Sequence, residues 1–282
     1  MTDATGYTAT ETLHSIGHNG VTYAYRRLGP AGPRPIVLLQ HFRGNLDNWD
    51  PALIDALASE RDAITFDNVG VAGSTGITPT SITEMAHDAI TFIDSLDVTT
   101  VDLLGFSIGS FIAQEIALIR PAMLGKIVLA SAAPQGAPGM HGWADDIIAA
   151  AGKPQVDADG LLHSFFRDTS TSREGGVAFL KRLGERSAGR DEATTWQTRN
   201  AQYDAVLKWG TPNISLLQRP TAITLPVFIT NGDDDRMILP WYSYLLSSLI
   251  PGSVVKIYPD SAHGFLFQHH QEFSADVLDF LS

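Results

Sequence analysis

Cysteine is absent from the 282 residues. Disulfides, thiolate-bound zinc, iron–sulfur clusters and a cysteine nucleophile are therefore excluded, and any chemistry must use oxygen and nitrogen groups. Positive charge is scarce: 19 Lys and Arg stand against 31 Asp and Glu, a formal charge of −12, which disfavours a surface that tracks nucleic-acid phosphates. No window approaches the ~18 uninterrupted apolar residues of a membrane helix, and the start, MTDATGYTATETLHS, lacks the basic head and apolar core of a secretion signal. The expectation is a cytoplasmic chain whose partners are neither nucleic acid nor membrane. Also missing are H-E-x-x-H, a calcium-loop spacing and a G-x-G-x-x-G after the first buried strand, so no metal and no dinucleotide cofactor is expected.

What remains is ordinary globular material, 44% hydrophobic and 18% charged. Two alternating runs within residues 8–28, separated by Gly17-His18-Asn19-Gly20, predict an antiparallel hairpin. Short apolar runs follow at 36–39, 63–66, 101–104, 127–129, 227–229 and 254–257 and read as buried strands. Helix-period segments at 51–59, 81–95, 108–119, 241–249 and 271–281 lie between and after them. This alternation predicts an α/β fold with a mostly parallel, doubly wound sheet extended at one edge by the hairpin. From 135 to 222 the alternation breaks into glycine and proline clusters (PQGAPG, AGKP) and helical stretches carrying Trp143, Phe165, Phe166, Phe179, Trp196, Tyr203 and Trp209. The expected organisation is a core of 1–134 and 223–282 with a helical insertion, 135–222, over it. Its aromatics are candidates to line a pocket for an apolar acyl or ring group.

Directly after the strand at 101–104 comes Gly105-Phe106-Ser107-Ile108-Gly109, followed by an apolar-periodic stretch. A strand, a sharp turn and a helix in that order hold the central serine in strained backbone geometry with its hydroxyl raised above the sheet. Serine needs a neighbouring base, normally histidine oriented by a third group. His14 and His18 fall in the hairpin, His87 on a helix, His141 and His163 in the insertion, and His269 and His270 at the start of the last helix, all read as surface or packing residues. His263 follows the last strand through Pro259-Asp260-Ser261-Ala262, at the carboxyl strand edge where ligands collect in open α/β sheets, and is the candidate base. The candidate acid lies after the strand near 226–230, where Asp233, Asp234 and Asp235 compete; spacing alone does not choose among them.

The elbow, the strand alternation and the order serine, aspartate, histidine together resemble the α/β-hydrolase superfamily over nearly the whole chain outside the insertion. In that family the acid usually stands three residues beyond the glycine of a G-x-x-D turn, which maps onto Gly232 and Asp235, with Asp233 as fallback. Asp67-Asn68-Val69-Gly70-Val71-Ala72-Gly73-Ser74 is similar to the family's D-x-R-G-x-G-x-S loop with Asn68 at the arginine, and the insertion is similar to its helical cap. The family's H-G-x-x-G is replaced by Gln40-His41-Phe42-Arg43-Gly44. Aligning the final glycine makes Phe42 the first oxyanion donor, aligning the histidine makes it Arg43, and strand-to-glycine spacing favours Phe42. The second donor is the N–H of Ile108. The resemblance implies a cofactor-free serine esterase or lactonase, monomeric or homodimeric, acting on a small-molecule ester or lactone with Ser107, His263 and Asp235. Carbon–carbon bond hydrolysis, perhydrolysis and a ligand receptor with the same fold are the alternatives.

Overall fold

The aliphatic runs lie in one eight-stranded sheet in a computed structural model that describes residues 6–153 and 156–282. The first five residues of the chain, and Pro154 of the AGKP cluster, lie outside the described residues. The strands are β1 Leu13–Ile16, β2 Thr22–Leu28, β3 Ile36–Leu39, β4 Ala63–Phe66, β5 Val101–Phe106, β6 Leu124–Ala130, β7 Val227–Gly232 and β8 Val254–Tyr258, in the order β1-β2-β4-β3-β5-β6-β7-β8. β1 and β2 pair antiparallel, as do β2 and β4, while every pair from β4 to β8 is parallel. Parallel strands covered on both faces must be apolar throughout, and all residues of β3, β4 and β5 are buried.

Period-two alternation divides those strands between two cores. Val37, Leu39 and Leu103 join the side chains of α2 (Ile82–Asp94), α3 (Ile108–Ile119) and α9 (Trp241–Leu249). Ile36, Leu38, Leu104 and Phe106 point the other way, to α1 (Pro51–Ala58), α10 (Phe265–Gln268) and α11 (His270–Leu281). Helix starts follow their side chains. Asp50 accepts from Ala52 N–H ahead of Pro51, and Ser81 accepts from Glu84 N–H.

The hairpin is shorter than its sequence suggested. Residues Tyr7–Ala9 form a 3-10 turn, because the buried Tyr7 hydroxyl donates to the Leu46 carbonyl oxygen (2.7 Å) and the Tyr7 N–H donates to Asp55 (2.6 Å), pulling the chain off the sheet edge. β1 begins only at Leu13.

Between β6 and β7 the chain forms α4 (Asp145–Ala151), α5 (Ala158–Phe165), α6 (Ser170–Leu183), α7 (Trp196–Gly210) and α8 (Ile214–Leu217). Polar contacts fasten these helices to the loops at the carboxyl ends of the strands. Arg43 donates to the Ala151 and Lys153 carbonyl oxygens, Thr194 Oγ1 donates to the Arg43 carbonyl oxygen, Arg182 grips Asp50 through two nitrogens at 2.7 and 2.6 Å, and Gly264 N–H donates to the Phe165 carbonyl oxygen at 2.8 Å. Among the described residues, no helix is long and apolar enough to cross a membrane.

Candidate active site

Ser107 links β5 to α3 with φ 58° and ψ −121°, a left-handed conformation that non-glycine residues rarely adopt and that costs about 1–3 kcal/mol. The flanking glycines make the turn possible. A Cβ at Gly109 would lie 2.1 Å from the Leu39 carbonyl oxygen, and one at Gly105 would lie 2.3 Å from the Gly109 carbonyl oxygen. Neighbouring backbone thus packs where a side chain would go, and Ser107 is left at the tip of the turn.

His263 Nε2 stands 2.9 Å from Ser107 Oγ, and His263 Nδ1 stands 2.8 Å from Asp235 Oδ2. A carboxylate can only accept, so Nδ1 carries the proton and the unprotonated Nε2 accepts from the serine hydroxyl. Asp235 Oδ1 accepts from the N–H groups of Met237 (2.8 Å) and Ile238 (3.0 Å), which fixes the carboxylate orientation. All three side chains are buried. The two other aspartates turn elsewhere: Asp233 accepts from the N–H groups of Asp260 and Ser261, and Asp234 faces Arg167 at 3.1 Å. Gly232 permits the close approach of the two loops, since a Cβ there would lie 2.3 Å from the Ala262 carbonyl oxygen.

In the loop after β3, three N–H groups are committed. His41 N–H donates to Gln40 Oε1 (2.9 Å), Arg43 N–H to Gln202 Oε1 (2.7 Å) and Gly44 N–H to the His41 carbonyl oxygen (3.0 Å). Among the described residues the Phe42 N–H has no such acceptor. Gln40, standing where the family motif has histidine, closes the loop through both ends of its amide, donating from Nε2 to the Asn45 carbonyl oxygen at 3.0 Å. Ile108 N–H belongs to the first turn of α3, whose leading N–H groups lack intrahelical acceptors. The Asp67–Ser74 loop supports this region: Asp67 accepts from Leu46 and Gly73 N–H groups, and burial, with Asp191 nearby, pushes its carboxyl well above the usual range.

A cavity of about 350 Å³ opens over Ser107 and His263, lined also by His41, Phe42, Leu161, Ser164, Phe165 and Met237. Of the seven insertion aromatics, Phe165 alone reaches it. Phe179 stacks on Phe267, Trp209 on Phe111, and Trp196 is 47% exposed with Arg199 over its ring. Such surfaces ordinarily go to packing. Sequence reasoning missed the roles of Gln202 and of the Met237 and Ile238 amides, for which no spacing signal exists. It also passed over the His41 side chain, although that residue sits inside the Gln40–Gly44 loop. Among the described residues no group of three or more His, Asp or Glu could hold a metal ion.

Comparison with known proteins gives this geometry a family. The model for the alpha/beta hydrolase fold matches residues 34–270. The chain belongs to that family. An alpha/beta hydrolase fold protein from Chitinophaga pinensis is 38% identical, covers 98% of this chain and 99% of its own, and superposes with a TM-score of 0.92. The enol-lactonase from Burkholderia xenovorans shares the fold at 20% identity, with a TM-score of 0.77 over 95% of this chain and 99% of its own. Over 128 residues the chain is 32% identical to RutD of Azorhizobium caulinodans, whose carbamate hydrolase assignment is itself provisional; the match covers 45% of this chain and 44% of that relative. Within the alpha/beta hydrolase fold family, the chain offers a hydroxyl, an imidazole and a carboxylate in one hydrogen-bonded series, an arrangement able to support acyl transfer.

Proposed function

We propose that this protein is a serine hydrolase of carboxylic esters or lactones that works through an acyl-enzyme without a cofactor. The observation that carries the reading is the buried series Ser107–His263–Asp235, with contacts of 2.9 and 2.8 Å, at the floor of a cavity. Ser107 Oγ attacks the carbonyl carbon as His263 Nε2 takes its proton. The imidazolium that forms is stabilised by Asp235 Oδ2 at Nδ1–H. Negative charge on the carbonyl oxygen is held by the Phe42 and Ile108 N–H groups, each donor of this kind contributing about 2.7–4 kcal/mol to the transition state. His263 then delivers the proton to the leaving alkoxide. Water, deprotonated by the same Nε2, attacks the acyl-enzyme and releases the acid.

Residues 135–222 act in this reading as a lid over the core, with Phe165 the side chain that meets the acyl group. The partner is a small molecule. The provisional carbamate hydrolase and the enol-lactonase are compatible relatives, since both names describe attack on an acyl carbon bonded to a heteroatom. The test is a panel of p-nitrophenyl esters and lactones with wild type and Ser107→Ala. Turnover that disappears in the folded variant supports the reading. Turnover that persists, or tight ligand retention with no burst of product, contradicts it.

A further inference from the structure

His41 has no part in the steps above, yet it sits beside them. Its ring centroid lies 5.4 Å from that of Phe106 and 5.3 Å from that of Phe165, and the same two rings flank His263 at 5.0 and 5.4 Å. His41 Nδ1 is 2.9 Å from the Phe42 carbonyl oxygen. A carbonyl oxygen has no proton to give, so Nδ1 must be the donor and Nε2 the bare nitrogen with an in-plane lone pair. Among the described residues nothing hydrogen-bonds to Nε2, and the residue lines the cavity. Burial, reinforced by His263 nearby, holds the imidazole pKa at about 4, so at neutral pH this lone pair is not lost to protonation. Ser164 also borders the cavity, but its hydroxyl oxygen is closed off from solvent and has no partner among the described residues. The rest of the lining mixes the apolar Phe42, Leu161, Phe165 and Met237 with polar residues such as Asn48 and Arg190. A buried acceptor left bare, as His41 Nε2 is, favours a ligand that supplies its complement and rejects one that does not.

We propose that His41 Nε2 is a specificity-determining acceptor that selects acyl groups bearing a hydroxyl or N–H on the carbon next to the scissile carbonyl. The placement follows from the loop. His41 immediately precedes Phe42, whose N–H is assigned to the carbonyl oxygen, so the α-substituent is the substrate donor nearest to the ring. The inference rests on the ester-hydrolase reading.

The experiment compares kcat/KM for an aryl 2-hydroxypropanoate and the matching aryl propanoate, each divided by its hydroxide-catalysed rate to remove intrinsic reactivity. Wild type is expected to favour the hydroxy ester by about tenfold, the upper range for one neutral hydrogen bond. His41→Phe keeps a ring between Phe106 and Phe165 but has no acceptor, and should bring the normalised ratio toward one. Ser164→Ala, which removes a hydroxyl closed off from solvent, should leave it unchanged. A wild-type ratio near one overturns the proposal without any variant being needed, and so does a ratio unchanged in folded His41→Phe. If wild type hydrolyses neither ester and Ser107 takes up no fluorophosphonate, the hydrolase reading itself fails and this inference falls with it.

Discussion

Replacing Asp235 by asparagine changes one atom in a buried site whose hydrogen bonds dictate the outcome. Asp235 Oδ1 accepts from two backbone N–H groups, those of Met237 and Ile238. The asparagine carbonyl must take that position, because the flipped amide would set its NH₂ against two donors, at about 1–3 kcal/mol for the groups left unpaired. The NH₂ therefore faces His263 Nδ1, which must give up its proton to accept. The imidazole proton moves to Nε2, where it points at Ser107 Oγ, and the base can no longer accept from the hydroxyl. A fall in kcat of ~10⁴-fold follows, about 5 kcal/mol of barrier. The assay is p-nitrophenyl acetate hydrolysis with folding checked by thermal melting. Asp233→Asn and Asp234→Asn, whose carboxylates face the Asp260–Ser261 amides and Arg167, should each lose less than about tenfold. A folded Asp235→Asn enzyme within about tenfold of wild type would refute the reasoning, as would an equal loss in Asp233→Asn.

Other outcomes follow from neighbouring contacts. Phe165→Ala should lower kcat/KM for long or cyclic acyl esters by ~10- to 100-fold more than for acetate, whereas Trp196→Ala, on the outer surface, should leave that ratio within about twofold; equal ratios in the two variants would contradict the lid assignment. Burial pushes the His41 imidazole down to about 4, against 6.5 for a free imidazole. Below pH ~6.5 the unfolded chain takes up a proton that the folded one refuses, so this contribution to stability is full above ~6.5 and is lost as pH falls toward 4, at ~1.4 kcal/mol per unit. Urea unfolding of wild type at pH ~6.5 and ~5.5 should show a loss ~1 kcal/mol larger than in His41→Phe, because half of the unfolded imidazoles are already protonated at the upper pH, and identical losses would contradict the buried neutral imidazole.

The sheet was legible because a parallel strand buried on both faces is a run of aliphatic residues, as in Ile36–Leu39, Ala63–Phe66 and Val227–Ile229, and the intervening helices keep a 3.6-residue period. The elbow was legible for a different reason: Gly105 and Gly109 are imposed by backbone atoms 2.1–2.3 Å from where a Cβ would lie, so the steric need is written locally. Three adjacent aspartates were not separable by periodicity, because which carboxylate meets His263 depends on how the 233–238 loop folds back to present two amides. The hairpin expected from residue 8 starts only at Leu13 because the contacts that draw the preceding chain off the sheet edge, from Tyr7 to Leu46 and Asp55, span about forty or more residues. Spacing along the chain favoured Phe42 over Arg43 but carried no sign of the acceptor that occupies the Arg43 N–H, because Gln202 lies far away on α7. Among the insertion aromatics, hydrophobicity marked burial but not direction, so Phe165 looked no different from Phe179 or Trp209. His41 was hidden by its role in the loop pattern: its tautomer is set by one carbonyl oxygen and its ring by two phenylalanines, none of which a motif records.

A hydroxyl at Ser107 made nucleophilic by His263 is the centre of the proposed chemistry. Covalent labelling with a fluorophosphonate, followed by mass mapping of the modified peptide, reads that property directly and needs no knowledge of the substrate. A single phosphonyl adduct on Ser107 in wild type is predicted, absent in Ser107→Ala and strongly slowed in His263→Ala. An adduct on another residue, labelling that persists in Ser107→Ala, or an unlabelled wild-type protein would contradict it.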